Sequence, residues 1–437
     1  MKTVALLFAL LVLAVPVVAQ TPYIETFELR LQNLDVVVTD AKGNSVRGLT
    51  KDDFVVVENG KAQEVTNFAI YDAAAATASS AGATASPEAE GAVSAPPARR
   101  IVFFIDEIGV QRMARQRLYN NVKAFVDAMR PGDVAAVVRP TTKEKIVQEF
   151  TGDRAALEQA LKQAIDESAV QYAGPKLELA NLRTQLKNSE TPNAARHAKR
   201  EYADAAARRV VHRLGQVRAL TSSMAGLEGK KIVVLVTMGL SAKPGSEAWD
   251  FAETLGAIDP VPISGEVDDI ERTYHPILHD LTPAIHEIAR SAAANGVTIY
   301  ALEPDVMLDL QVRGSAATPG RVGRGLTIFA DPRIELPSGF QVDSQQNSEV
   351  TLASLTETTG GRWFRGLENI DDTFRQVSSD VSFYYSLAYR ATGEAQQGKQ
   401  VKVSVRNRPE LRVRTRTEVL EKSTDREMSD LVVASLL

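Results

Sequence analysis

The chain has 437 residues, 44% hydrophobic and 24% charged, with a net charge of −5. Such a chain suits two or three globular domains with a sizeable core, and its balance excludes the basic stripe of a nucleic-acid binder. It contains no cysteine, which excludes disulfides, thiol chemistry and lipid attachment through a cysteine.

Residues 1–19 read as an export signal: Lys2, the apolar run "VALLFALLVLAVPVV", and the small-residue site Val17-Val18-Ala19 before Gln20. Pro16 and the small residues favour cleavage over a membrane anchor. No later segment reaches the roughly 20 apolar residues of a spanning helix. The expectation is a protein exported to the periplasm or secreted, with no transmembrane segment after signal cleavage.

Residues 24–72 read as an N-terminal β module. "FELRLQNLDVVVTD" alternates apolar and polar positions, and Asn59-Gly60 signals a tight hairpin. Residues 73–98 hold almost no large apolar side chain and read as a disordered Ala/Ser/Pro linker.

From residue 99 to 382 strands and helices alternate. "RRIVFFID", "DVAAVV", "KIVVLVTMG" and "VTIYALEP" are apolar strands, with "KIVQEF" a short strand beside the second. Helices are expected over about 113–129, 153–165, 195–225, 282–295, 350–361 and 370–381. Insertions fall near 170–194, 241–280 and 304–347, the first of them polar and irregular. Residues 383–420 return to strand alternation, and 421–437 form a tail. The fold class expected is α/β: a doubly wound, mostly parallel sheet inserted between N- and C-terminal β segments, which can pair into a small β-sandwich.

Five segments taken in order resemble the von Willebrand factor type A superfamily, in particular its exported bacterial "VWFA-related" group. They are "VVVTDAKGNSVRGLTKDDFVVVENGKAQEV", "KKIVVLVTMGLS", "AAANGVTIYALEP", "LTETTGGRWF" and "FYYSLAYRATGEAQQGKQVKVSVRNRPELRVRTR". The resemblance implies a protein-interaction or adhesion module that holds a divalent cation at the carboxyl end of the sheet. The implied motif is Asp-x-Ser-x-Ser after the first strand, a Thr from a neighbouring loop, and an Asp after the central strand.

Here only Asp106 matches that motif. Ile108 and Val110 stand at the serine positions and Met238 at the last aspartate. A lone carboxylate does not hold a hard cation against water, so the site is expected to be degenerate, with no metal and no cofactor. The alternative is a rebuilt polar site, or a weak Mg²⁺ or Mn²⁺ site, made of Asp106, Glu107, Thr141, Thr237, Ser241 and Glu303 at neighbouring strand ends.

Other chemistry is thin. His275 and His279 have i, i+4 spacing, but Pro276 interrupts them. Arg412, Arg414 and Arg416 alternate and read as a solvated strand face. Arg200, Arg208, Arg209, Arg213 and Arg218 read as the wet face of a packing helix. The function expected is therefore a non-enzymatic interaction module with no catalytic residues and an unidentified protein partner. A hydrolase using Asp106, Glu107 and Glu303, or a structural envelope component, are the alternatives.

Overall fold

Alternating segments from the two ends of the chain pair with one another. The computed structural model describes residues 31–73, 93–94, 96–106, 112–140, 145–171, 173–249, 251–252, 270, 277, 279–304, 338–366, 370–391 and 398–419. In it β1 (Leu31–Thr39) runs antiparallel to β12 (Phe383–Arg390), with Leu34 opposite Leu387 and Val36 opposite Tyr385. With β4 (Val65–Asp72), β5 (Val93–Ser94) and β14 (Arg412–Arg414) they form a sheet of order β14-β1-β12-β4-β5.

A second sheet, β15-β13-β2-β3, combines β2 (Phe54–Glu58) and β3 (Lys61–Gln63) with β13 (Lys399–Val405) and β15 (Glu418–Val419). Asn59 and Gly60 take φ of 46° and 80°, the left-handed pair that a two-residue hairpin requires. Leu34, Val36, Phe54, Phe68, Tyr385 and Val403 share one buried core, so the terminal segments do close a single β-sandwich.

Between them lies the α/β domain. Its strands are β6 (Arg99–Ile105), β7 (Val134–Arg139), β8 (Lys145–Thr151), β9 (Lys230–Val236), β10 (Val297–Glu303) and β11 (Trp363–Arg365). They lie in the order β8-β7-β6-β9-β10-β11, parallel except for the antiparallel edge strand β8. Ile101 through Ile105 are all buried because helices cover both faces of the sheet.

On one face lie α1 (Arg112–Asp127), α2 (Arg154–Gln171) and α7 (Ile370–Ser382), which contribute Leu118, Leu161 and Val377. On the other lie α4 (Pro192–Ser223), α5 (Thr282–Ala294) and α6 (Ser338–Thr358), with Leu214, Ile288 and Leu355. α3 (Ala173–Lys187) packs instead on α4, burying Leu182 and Leu186 beside Ala195 and Ala198.

The sequence expectations need correcting in several places. The 170–194 segment is not irregular: α2 continues to Gln171 and α3 follows, because Leu182 and Leu186 recur at helical spacing and find a partner in α4. The expected linker ends early, since Val93–Ser94 add a strand beside β4, and the Pro96 and Pro97 carbonyls accept hydrogen bonds from Arg130. Helix α6 begins at Ser338, inside the expected 304–347 insertion. Residues 74–92 of the linker, the signal and the tail lie outside the described residues.

The arginine row is not a solvated face either. Arg412 is exposed. Arg414, however, forms a two-point pair with buried Asp380 of α7, both contacts at 2.6 Å. Arg416 donates to the carbonyls of Asn33 and Ala293. The sandwich is thus fastened to the α/β domain through charge buried between them. Asp380→Ala should cost about 3–5 kcal/mol, since it leaves the Arg414 guanidinium uncompensated. Urea unfolding measures this, and a loss below about 1 kcal/mol, the range of exposed pairs, would mean the pair is solvated in solution.

Candidate functional site at the sheet's switch point

Numbered from β6, the strand order is 3-2-1-4-5-6, which reverses direction between β6 and β9. The connections after these two strands leave toward opposite faces and open a crevice at their carboxyl ends, where ligands bind in such sheets. Asp106 directly follows β6 and Thr237 directly follows β9. The ladder continues through both: Asp106 N donates to Val236 O at 2.8 Å, and Thr237 N to Leu302 O at 3.0 Å. Their backbones are fixed before any side chain is considered.

The Asp106 side chain is 1% exposed. Thr237 Oγ1 donates to its Oδ2 at 2.6 Å. Its other oxygen, Oδ1, faces Arg213 Nε at 3.2 Å, as an ion pair rather than an aligned hydrogen bond. A carboxylate this deep needs donors or an opposite charge, because desolvation of an isolated ion costs several kcal/mol. Arg213, 15% exposed, supplies that charge from α4. Its place follows from helix geometry. Val210, Leu214 and Val217 pack on the sheet, and Arg213 stands three residues after the first and four before the last.

Beyond Thr237 the chain turns at Gly239, with φ +108° and its N donating to Thr237 Oγ1 at 3.3 Å. A Cβ there would fall 2.5 Å from Ser348 Oγ and 3.0 Å from Glu303 Oε1, so only glycine fits. Ser348 Oγ donates to Glu303 Oε1 at 2.8 Å. Met238, where the motif would carry an aspartate, packs against the core formed with α1, α2 and α7.

Of the residues expected at a rebuilt site, Asp106 and Thr237 are brought together. Glu303 lies one strand beyond Thr237 and is held by Ser348. The Ser241 hydroxyl turns aside to accept from Lys243 N at 3.2 Å. Glu107 and Thr141 lie outside the described residues, as do Ile108 and Val110. Sequence reasoning missed Arg213 and Ser348. The signal for Arg213 was present: an arginine inside an apolar helical stripe is not on the wet face.

These residues do not fit a divalent cation. One Asp106 oxygen is taken by a hydroxyl donor and the other faces a guanidinium. Among the described residues no group of three or more His, Cys, Asp or Glu side chains could hold a metal. Replacing Thr237 with valine should cost about 1–3 kcal/mol by leaving Asp106 Oδ2 without its donor. Chemical denaturation checks this, and an unchanged midpoint would mean that the 2.6 Å contact does not form.

Part of the 241–280 insertion docks on α4. Gly245 passes so close that a Cβ would lie 2.5 Å from Ala203 Cα, and Ala248 and Trp249 are buried. Tyr202 Oη donates to Glu247 Oε1 at 3.1 Å, and Arg209 pairs with Glu178 of α3. His279 lies 3.3 Å from Asp204 of α4, whereas His275 lies outside the described residues. Burial pushes the Glu247 carboxyl above its ordinary value of 4.5.

The folded state therefore holds this proton more tightly than the unfolded chain does. Its stabilising effect is complete below pH 4.5 and is lost as pH rises through the folded value. Glu247→Gln should remove that loss, giving a flatter stability profile above pH 4.5 than the parent. Parallel profiles would contradict the burial of this carboxyl.

No family model and no curated protein matches the sequence. Solved structures do show likeness. A von Willebrand factor type A protein from Catenulispora acidiphila aligns over 91% of this chain and 76% of its own, with TM-score 0.29 and 10% identity. Proximal thread matrix protein 1 from the mussel byssus aligns over 66% of this chain, with TM-score 0.28 and 10% identity. The conserved hypothetical protein BatB from Bacteroides thetaiotaomicron aligns over 64% of this chain and 97% of its own, with TM-score 0.25 and 11% identity. The chain spans about half the length of the mussel protein, 48%. At these scores the likenesses assign neither family nor function, and what is established is the α/β sheet inserted in a β-sandwich.

Proposed function

We propose that this protein is a non-enzymatic, exported interaction module of the von Willebrand A type, which binds a protein partner through the carboxyl edge of its sheet without a divalent metal. The observation that carries the reading is the state of the two strand-end carboxylates. Asp106 is engaged by Thr237 and Arg213, and Glu303 by Ser348. An acid–base pair needs a carboxylate directed at substrate. Asp106, which directly follows β6, and Glu303, the last residue of β10, each spend an oxygen on a neighbouring side chain of the protein itself. The hydrolase reading is weaker for that reason. Export rests on the pattern of residues 1–19, and the partner class on the five resembling segments.

One exposed apolar side chain supports recognition near this edge. Ile277 is 64% exposed and lies three residues before Asp280, in the segment whose Leu281 N bonds to Ala242 O just beyond β9. Protein recovered from an envelope fraction should begin at Gln20 and should retain its captured partner in the presence of a chelator. Ile277→Asp should weaken capture several-fold without altering the melting temperature. Loss of capture on chelation alone would overturn the metal-free reading.

A further inference from the structure

At the switch point the chain carries its own cation. Asp106 lies where a strand-end carboxylate of this fold would meet an ion, yet a guanidinium is already there, delivered by a helix of 32 residues anchored along the same sheet face. We propose that Arg213 is a tethered replacement for a bound divalent ion: it neutralises Asp106 and so holds the β6 and β9 ends together at the crevice. This deepens the metal-free reading above and rests on that part of it, not on the identity of the partner.

Three observations meet on this residue. First, the charge is needed, because Asp106 is 1% exposed and its Thr237 contact supplies a neutral donor to one oxygen only. Second, the guanidinium is held in place by packing. Val210, Leu214 and Val217 bury around the position, so α4 cannot rotate Arg213 away without exposing its apolar stripe. Third, the two residues that follow Thr237 offer an ion no side-chain oxygen. Met238 packs, partly buried, against the core, and Gly239 has no side chain. Arg213 is also the part of the pair nearest to solvent, at 15% exposure against 1%. The neutralisation of Asp106 is therefore built into the chain and does not depend on divalent ions being available.

The test compares full-length wild type with Arg213→Ala, Arg213→Lys and the double variant Asp106→Asn/Arg213→Met by thermal melting, with Mn²⁺ and with chelator. Wild type should melt identically in both. Arg213→Ala should melt roughly 3–10 °C lower, the shift expected for breaking one partner of a buried pair in a chain of this size. Mn²⁺ should not restore that loss, since the lone carboxylate left behind does not hold a hard cation against water. Arg213→Lys, which keeps the charge, should fall between the two. The double variant should be more stable than Arg213→Ala despite carrying two changes.

If Arg213→Ala fails to fold, the lysine and double variants still decide the question. The proposal is overturned if the double variant is no more stable than Arg213→Ala, or if Mn²⁺ raises the melting temperature of wild type. Neither result bears on whether a partner is captured in chelator, so the two readings fail separately.

Discussion

Charge buried at the end of a strand constrains everything around it. Asp106 enters the interior because β6 is covered on both faces and its ladder runs on through Asp106 N to Val236 O. Once there, the carboxylate requires compensation from elements distant in sequence. Thr237 comes from the end of β9, 131 residues on. Arg213 comes from α4, whose length and apolar stripe fix where its guanidinium falls. The switch-point crevice, which the strand order creates, is where these three segments meet. The fold thus builds a site, and these side chains fill it with charge of their own.

The same solution recurs where the two parts of the molecule join. A sandwich made from both chain ends must clamp the inserted domain, and the clamp is again a partly buried arginine on a buried carboxylate: Arg414 on Asp380, with Tyr300 Oη 3.5 Å away. Close backbone approach adds to it. A Cβ on Gly361 would fall 1.9 Å from Ile299 O, and one on Gly360 would fall 2.8 Å from Arg416 N, so the turn before β11 admits only glycine. Buried ion pairs of this kind add little net stability compared with apolar packing, but breaking one costs much. They act here as constraints on which arrangement forms.

Much of this architecture was legible in the chain. The continuous apolar run Ile101–Ile105 announced a strand covered on both faces, Asn59-Gly60 announced a hairpin, and terminal alternation announced a sandwich. What could not be read was tertiary compensation. Arg213, Arg414 and Arg416 are ordinary surface arginines by composition, and only the geometry of α4 and of the C-terminal strands turns them inward. Likewise α3 looked irregular because its polar residues outnumber its leucines, and two leucines meeting α4 were enough to fix it. The switch-point site was half legible: Asp106 and the loss of hydroxyls at 108 and 110 were plain, whereas the residue that takes over the charge lies in another segment.

The most direct measurement is a crystal structure of the wild-type protein grown in saturating Mn²⁺ and recorded at the manganese absorption edge. The account predicts no anomalous peak beside Asp106, with Arg213 Nε remaining about 3.2 Å from Oδ1. A manganese peak on Asp106 with the Arg213 side chain displaced would contradict it.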